Sequence, residues 1–299
     1  MEKILVSGAS GFVGRYLVET FLETGHDVTG LGTSPTHPFT HRYDNFSWIC
    51  ADTREPGEWQ EAVSKADWVI NLAGRSIFQY WTRAHKENIR DSRVLTTKNI
   101  VDAIGEGAVL LSASAVGYYG EGRDEELTED GACGKDFLST VCLEWENEAL
   151  MAQDKGVRLC IMRFGVVLGQ GGALAIMAPM FKSFMGGPLG NGLQWFPWIH
   201  LLDLERGAHF LLENEGAAGV YNFTAPQLVR QREFSREMGR ALKRPAFLPA
   251  PGFMVKTVMG ELGASLLTGQ KAPPKRLLDT GFEFRYPTLR SALNQVYNS

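Results

Sequence analysis

Cysteine is scarce in this chain of 299 residues, and its four thiols have none of the spacings that ligate metals. Cys50 and Cys160 lie in strand-like apolar runs, where a buried thiol acts as a small hydrophobe. We therefore expect reduced thiols and no metal site.

Runs of Lys or Arg are also absent, and the formal net charge is −4. This charge pattern predicts no nucleic-acid partner and no anionic membrane partner. No segment has 18 consecutive apolar residues, and the N-terminus enters a strand directly rather than an export signal. We expect a cytoplasmic protein, a monomer or homodimer, whose partner is an unidentified small-molecule substrate.

Hydrophobic residues make up 44% of the chain, enough for a large core. Runs such as 69–73 are continuously apolar, which indicates strands covered on both faces. Helical patterns separate the runs, so the sequence predicts an α/β fold with a doubly wound parallel sheet of the Rossmann type. The predicted strands are Ile4 to Ser7, Asp27 to Leu31, Ser47 to Cys50, Trp68 to Ala73, Val109 to Ala113 and Arg158 to Arg163.

Glycine and proline become frequent from about Gly171 onward. We expect residues 1–225 to form the nucleotide-binding domain, with a substrate-loop insertion at about 171–200. Residues 226–299 are expected to form a small, mostly helical C-terminal lobe. In α/β folds such a lobe usually supplies the substrate pocket across the carboxyl ends of the strands.

Three glycines spaced by three follow the first predicted strand. Glycine permits a sharp turn into a helix, the close approach of a pyrophosphate and tight packing of helix on strand. The alternative is a turn without a ligand, but an apolar strand precedes the glycines and a helix ending at Gly25 follows them. The predicted phosphate loop comprises Gly8, Ser10, Gly11, Phe12, Val13 and Gly14, with the amides of Phe12 and Val13 directed at the phosphates.

No Asp or Glu ends the second strand, although a carboxylate is usual there when NAD is bound. Thr33 and Ser34 supply hydroxyls instead, and Arg42 supplies a cation further along the loop. Hydroxyls and a cation suit a 2′-phosphate, so the sequence favours NADP(H) over NAD(H). The alternative is that Thr33 and Ser34 only cap a turn.

The rest of the predicted nucleotide site follows the third and fourth strands. Asp52 and Thr53 are placed to meet the adenine, and Leu72, Ala73 and Gly74 can lie beneath the adenosine ribose.

In this arrangement the chain resembles the extended short-chain dehydrogenase/reductase superfamily over about residues 1 to 225. The resemblance rests on Gly8-x-x-Gly11-x-x-Gly14, Asn71 to Gly74, Asn88, Ser112 to Gly120, Arg163 to Gly169 and Trp198 to Leu204. Other segments are similar to an atypical branch, the 39U-type (YfcH-like) epimerase family proteins. They are Phe137 to Glu146, Phe196 to His200 and the tail Pro274 to Pro287.

The resemblance implies hydride transfer assisted by a Ser, a Tyr and a Lys four residues after the Tyr. Ser114 is our candidate for the Ser, with Ser112 as the less favoured choice; either could instead cap a loop. Leu138 and Cys142 stand where the Tyr and Lys would be, so the usual acid is missing. The nearest phenols are those of Tyr118 and Tyr119, for which an aromatic wall is the alternative role.

The resemblance and the sequence pattern also indicate roles for residues near these candidates. Asn88 corresponds to a helix Asn that holds a water in relatives, or it is a hydrogen-bonding residue near a helix N-terminus. Arg163, Phe164 and Gly165 are expected beside the nicotinamide, with Ser112 among the cofactor contacts. Asp203 is expected to be the N-cap of the following helix, with His200 packed beneath it.

The sequence thus predicts an NADP(H)-dependent oxidoreductase or epimerase-like protein of unknown substrate that lacks the Tyr and Lys pair. The alternative is a non-catalytic NADP(H)-binding regulator or sensor. A structural protein without nucleotide is disfavoured by the intact glycine loop.

Overall fold

Seven parallel strands form the central sheet of the computed structural model, which describes residues 1–298. The strand order is β3-β2-β1-β4-β5-β6-β9, so the order reverses between β1 and β4, where doubly wound sheets bind ligands. Strands β7 and β8 form a separate parallel pair. The strands are β1 Lys3–Ser7, β2 Asp27–Gly32, β3 Phe46–Cys50, β4 Trp68–Asn71, β5 Val109–Ala115, β6 Arg158–Phe164, β7 Val166–Leu168, β8 Trp198–His200 and β9 Gly219–Phe223.

Helices cover both faces of the sheet. Helices α1 and α6 pack on one face, and α2, α3 and α4 pack on the other. The predicted doubly wound α/β fold is therefore confirmed. The helices are α1 Phe12–Glu23, α2 Gln60–Ser64, α3 Arg83–Ala103, α4 Phe137–Leu150, α5 Gly172–Lys182, α6 Leu201–Glu213, α7 Gln231–Ala241, α8 Gly252–Leu266, α9 Lys275–Asp279 and α10 Leu289–Asn298.

The central strands are apolar on both faces because each face meets a helical layer. In β1, Leu5 packs in the core beneath α2, α3 and α4, whereas Ile4 and Val6 pack in the core beneath α1 and α6. All three side chains are 2% exposed or less. Continuous hydrophobicity therefore identified these strands correctly.

The C-terminal part is mostly helical. Helices α7 and α10 share a third apolar cluster with α5, through residues such as Phe181, Met238 and Leu293. Leu277 of α9 and Phe282 instead join the core beside α6. The division of the chain at 225/226 stays a prediction.

Three local expectations were wrong. His200, not Asp203, is the N-cap of α6, because its Nδ1 accepts a hydrogen bond from the Leu202 amide at 3.1 Å. The Asp203 carboxylate instead accepts the amides of Arg285 and Tyr286 at 2.7 and 2.9 Å. Cys50 is exposed rather than buried, and β4 ends at Asn71 rather than Ala73. Within residues 1–298, no helix is long and apolar enough to cross a membrane.

Candidate functional site

The three loop glycines lie in three different environments. Gly8 has a φ of +70°, in the left-handed region that favours glycine. A Cβ on Gly14 would lie 2.3 Å from the Gly8 carbonyl oxygen, so packing excludes any side chain there. Gly11 has a φ of −72°, and a Cβ there would meet only the Gly8 oxygen, at 3.1 Å. The backbone conformation does not demand glycine at position 11, and a Cβ there would press on this one oxygen alone, so its bare surface is available to a ligand.

The N-terminus of α1 adjoins this bare surface. Helix α1 begins at Phe12, and no side chain caps its first amides. The Phe12 ring packs toward the loop after β7, since a Cβ on Gly171 or Gly172 would lie 2.7 Å from it. Phe12 and Val13 therefore offer backbone N–H groups, the donors that bind phosphate at helix N-termini.

The backbone after β4 lies against the same loop. A Cβ on Gly8 would lie 2.8 Å from the Leu72 carbonyl oxygen and 3.1 Å from the Ala73 nitrogen. Asn71 fixes this approach, because its Oδ1 accepts the Ser7 hydroxyl at 2.6 Å while its Nδ2 donates to Thr97 at 2.7 Å. The structure thus brings two predicted cofactor segments together at the carboxyl ends of β1 and β4.

The end of β2 presents hydroxyls and no carboxylate. A Cβ on Gly32 would lie 3.4 Å from the Ser10 hydroxyl, so the phosphate loop and this strand end are neighbours. Trp48 holds the segment by donating its indole N–H to the Ser34 carbonyl at 3.0 Å. In the described chain neither the Thr33 nor the Ser34 hydroxyl bonds to a turn, which disfavours a capping role for them.

Arg42, predicted to lie near these hydroxyls, is engaged elsewhere. Its guanidinium pairs with Glu19 of α1 at 2.8 Å and lies 5.0 Å from the centre of the Tyr43 ring. The structure therefore does not bring Arg42 into the site, because a carboxylate on the outer surface of α1 already holds its charge.

Arg15 is a cation that the sequence reasoning missed. It lies in the first turn of α1, is exposed and has no ion-pair partner among residues 1–298. Burial lowers the pKa of His37, in the loop after β2, and the charge of Arg15 acts in the same direction. In the part of the chain that the structure describes, Arg15 is thus an unpaired cation one residue after Gly14, and the signal for it was a cation directly after the third glycine.

On the adenine side, Asp52 is exposed and its carboxylate is held by the Arg54 guanidinium, with Nε 2.9 Å from Oδ1. The Arg54 hydrogen bonds hold the pKa of Asp52 below its usual value. Thr53 is buried, with its Oγ1 2.7 Å from that of Thr96, so it faces α3. Asn88 donates to the Ala84 carbonyl at 2.9 Å and accepts from Arg54 at 3.4 Å, beside the Asp52 pair.

Two of the candidate catalytic residues, Ser114 and Tyr119, belong to a chain of hydrogen bonds that we call the buried polar chain: Ser114, Glu146, Arg163, Tyr119 and Asn222. Each member is 5% exposed or less. Ser114 donates to Glu146 at 2.6 Å, and Arg163 donates to both oxygens of Glu146 at 2.8 and 2.7 Å. Arg163 also donates to the Tyr119 hydroxyl at 2.9 Å, which donates to Asn222 at 2.7 Å.

The two phenols differ in access. Burial raises the pKa of Tyr119 to about 12, although the charge of Arg163 opposes the shift. Tyr118 is half-buried, and the Arg163 Cζ lies 3.5 Å from the centre of its ring. Burial raises the pKa of Tyr118 as well. Tyr118 is therefore the more accessible phenol, and neither has an environment that favours proton release near neutral pH.

The remaining positions predicted near the active site are largely apolar. Leu138 is half-buried, and burial raises the pKa of Cys142 to about 12. Phe164 packs edge-on to Phe223 with ring centres 5.7 Å apart, and a Cβ on Gly165 would lie 2.9 Å from the Pro197 carbonyl. The Ser112 hydroxyl is buried and has no hydrogen-bond partner in the described part of the chain.

Comparison with known proteins gives the family. Residues 4–223 match the NAD dependent epimerase/dehydratase family, and residues 250–296 match a domain of unknown function, DUF1731. The chloroplastic SDR39U1 homolog of Arabidopsis thaliana, an epimerase family protein, is 41% identical over 98% of this chain and 86% of its own. Epimerase family protein YfhF of Bacillus subtilis is 35% identical over 98% of this chain and 97% of its own. The crystal structure of human epimerase family protein SDR39U1 with NADPH matches at a TM-score of 0.87 and 31% identity, over 99% of both chains.

The chain therefore belongs to the NAD dependent epimerase/dehydratase family. Within that family it is one of the 39U-type epimerase family proteins, which confirms the resemblance drawn from its motifs.

Proposed function

We propose that the cleft at the carboxyl ends of β1, β2 and β4 binds NADP(H). The observation that carries this proposal is Gly11, which is bare although its φ of −72° suits any residue and its Cβ would contact only the Gly8 oxygen, at 3.1 Å. It lies next to the uncapped N-terminus of α1, where a pyrophosphate would accept backbone N–H groups. The NADPH in the human relative supports the same ligand.

The preference for a 2′-phosphate rests on the end of β2. No carboxylate stands there to repel a phosphate, and Thr33, Ser34 and Ser10 offer hydroxyls. Arg15 would supply the charge, since it is exposed in the first turn of α1, directly after Gly14, and no carboxylate pairs with it within residues 1–298. A guanidinium and hydroxyls form the charge-assisted donor set that phosphate prefers.

The proposed activity is that of an oxidoreductase or epimerase-like protein acting on a small molecule. Bound NADP(H) would supply the hydride chemistry. Within the chain, Tyr118 is the accessible polar group near the strand ends, and the buried polar chain holds Ser114 in place. We further propose that residues 226–299 border the substrate.

A non-catalytic NADP(H) sensor is the second candidate. A specific observation favours it: the hydroxyls of Ser114 and Tyr119 are both committed to internal hydrogen bonds. The resemblance to the superfamily implies that Leu138 and Cys142 stand at the positions of the usual Tyr and Lys, and neither side chain is a ready proton donor.

Calorimetric titration with NADPH and NADH tests the cofactor. NADPH is expected to bind at least about tenfold more tightly, because hydrogen bonds to a charged group contribute about 1.5 to 3 kcal/mol each. Ser34→Asp should move the preference toward NADH, and Arg15→Gln should remove most of it. Arg42→Gln is the matched control and should leave the ratio unchanged. Equal affinities in the wild type would contradict the 2′-phosphate site.

A further inference from the structure

Helix α3 carries a guanidinium without a counter-charge. Arg93 is half-buried, and its Nη1 donates to the Ile89 carbonyl at 2.9 Å. Throughout the described chain, no carboxylate lies within ion-pair distance of it. Desolvation lowers the pKa of Arg93, yet a guanidinium stays charged at any physiological pH. A partly desolvated charge without a counter-charge destabilises the fold. A function in ligand binding would explain why Arg93 stands there.

Arg93 lies at the edge of the sheet where the cleft opens. A Cβ on Gly74, just after β4, would lie 3.0 Å from the Arg93 Cζ and 3.1 Å from Nη2. On its other side, the Cζ is 5.4 Å from the centre of the Trp145 ring of α4. Trp145 packs with Val94 and with Ala113 of β5. The guanidinium is thus held between the ends of β4 and β5.

The surroundings of Cys142 place Arg93 close to the candidate catalytic side. Burial raises the pKa of Cys142, while the charge of Arg93 and a hydrogen bond with Ser114 oppose that shift. Packing gives the same placement, because Trp145, which lies beside Arg93, packs against Ala113, the residue directly before Ser114 on β5. The indole N–H of Trp145 is buried beside them and has no hydrogen-bond partner among residues 1–298.

We infer that Arg93 binds an oxyanion, a carboxylate or phosphoryl group, on a ligand in this cleft. The planar fork of a guanidinium matches the two oxygens of such a group, and ligand charge would balance the charge that the protein leaves unpaired. The inference rests on the proposed function, because it assumes that the cleft is a ligand site. The oxyanion belongs either to the substrate or to the nucleotide itself, and the two sources predict different results.

The experiment compares the wild type with Arg93→Gln and with the control Arg90→Gln. Arg90 lies on the same helix, but its charge is already paired with Glu144 at 2.5 Å and Asp91 at 3.0 Å. Calorimetry would measure NADPH binding first. It would then measure binding of malonate and of inorganic phosphate, to the free protein and to the NADP⁺-saturated protein.

Two results support the inference and identify the source of the oxyanion. If the nucleotide supplies it, Arg93→Gln weakens NADPH binding at least about tenfold, the usual scale for losing a charged hydrogen bond. If the substrate supplies it, NADPH binding is retained, while the wild type binds malonate or phosphate and Arg93→Gln does not. Arg90→Gln should match the wild type in both cases.

The inference is overturned if Arg93→Gln binds NADPH like the wild type and shows no deficit for either small anion. Failure of the wild type to bind NADPH would instead contradict the proposed function, and the titrations of the free protein would still test Arg93.

Two further measurements separate binding from a structural role. Gly74→Ala keeps the charge but displaces the guanidinium, because its Cβ would lie 3.0 Å from Cζ; it should reproduce the binding loss. A binding role also predicts that Arg93→Gln melts no lower than the wild type, since it removes an uncompensated charge. A lowered melting temperature with unchanged binding would assign Arg93 to packing alone.

Discussion

Replacing Gly11 by valine separates ligand binding from folding more cleanly than any other change in the loop. The φ of −72° suits valine, and the only atom within 4 Å of the new Cβ is the Gly8 carbonyl oxygen at 3.1 Å. Valine is a poorer N-cap than glycine, at a cost of about 1 kcal/mol. Valine also makes the unfolded chain less flexible than glycine does, which stabilises the fold by about 0.4 to 1 kcal/mol. The free energy of unfolding should therefore change little.

Binding should change far more. The valine methyl groups would occupy the space next to the first amides of α1, where the pyrophosphate is proposed to lie. Losing two hydrogen bonds to a charged group costs about 3 to 6 kcal/mol, which weakens binding by more than about 100-fold. Calorimetric titration with NADPH measures the loss, and thermal unfolding followed by circular dichroism checks the fold.

Gly14→Ala is the contrasting variant. Its Cβ would lie 2.3 Å from the Gly8 carbonyl oxygen and 2.9 Å from the Ala9 Cα, so it should lower the melting temperature as well as the affinity. Folded Gly11→Val that binds NADPH within about threefold of the wild type would refute the reasoning, because threefold is only about 0.7 kcal/mol.

Two other predictions concern the buried groups. If the protein is an enzyme, Ser114→Ala should lower turnover by about 100-fold to 1000-fold. The assay is a metabolite screen followed by NADPH absorbance, in which Tyr118→Phe and Tyr119→Phe are measured alongside. Wild-type turnover in all three variants would place the chemistry on other residues. If it is a sensor, Ser114→Ala should instead lose about 1.5 to 3 kcal/mol of stability, from the hydrogen bond to Glu146, and keep its NADPH affinity. Burial raises the pKa of Glu205 to about 7, so the unfolded chain releases this proton at lower pH than the folded protein does. The free energy of unfolding therefore falls as pH rises from the ordinary carboxyl pKa to about 7. In denaturant unfolding, the free energy of unfolding of Glu205→Gln should therefore exceed that of the wild type by up to about 3 kcal/mol near pH 8 and by under about 1 kcal/mol near pH 5. A difference that does not change with pH would contradict the raised pKa of Glu205.

Apolar runs located the first six strands because β1, β4, β5 and β6 are buried on both faces, and even the edge strand β3 is partly buried. Strands β7 and β8 have three residues each and lie among glycines and prolines, so no periodicity marks them. Their pairing depends on the tertiary approach of Val166 to Trp198, which no local pattern encodes.

The backbone geometry of the proposed phosphate loop was predictable because it depends on local sequence. The glycine spacing is a property of one turn, and the structure shows a reason for Gly8 in its φ of +70° and for Gly14 in its contact with Gly8. The cations were not predictable in the same way. Arg42 is near Ser34 in sequence but pairs with Glu19, whereas Arg93 comes to lie beside Gly74 only because the packed fold brings α3 against the end of β4.

A crystal structure of this chain with NADPH tests the central claim most directly. The account predicts the pyrophosphate over Gly11 at the N-terminus of α1, and the 2′-phosphate between Ser34 and Arg15. Nucleotide density at another place, or a 2′-phosphate directed away from the end of β2, would contradict it.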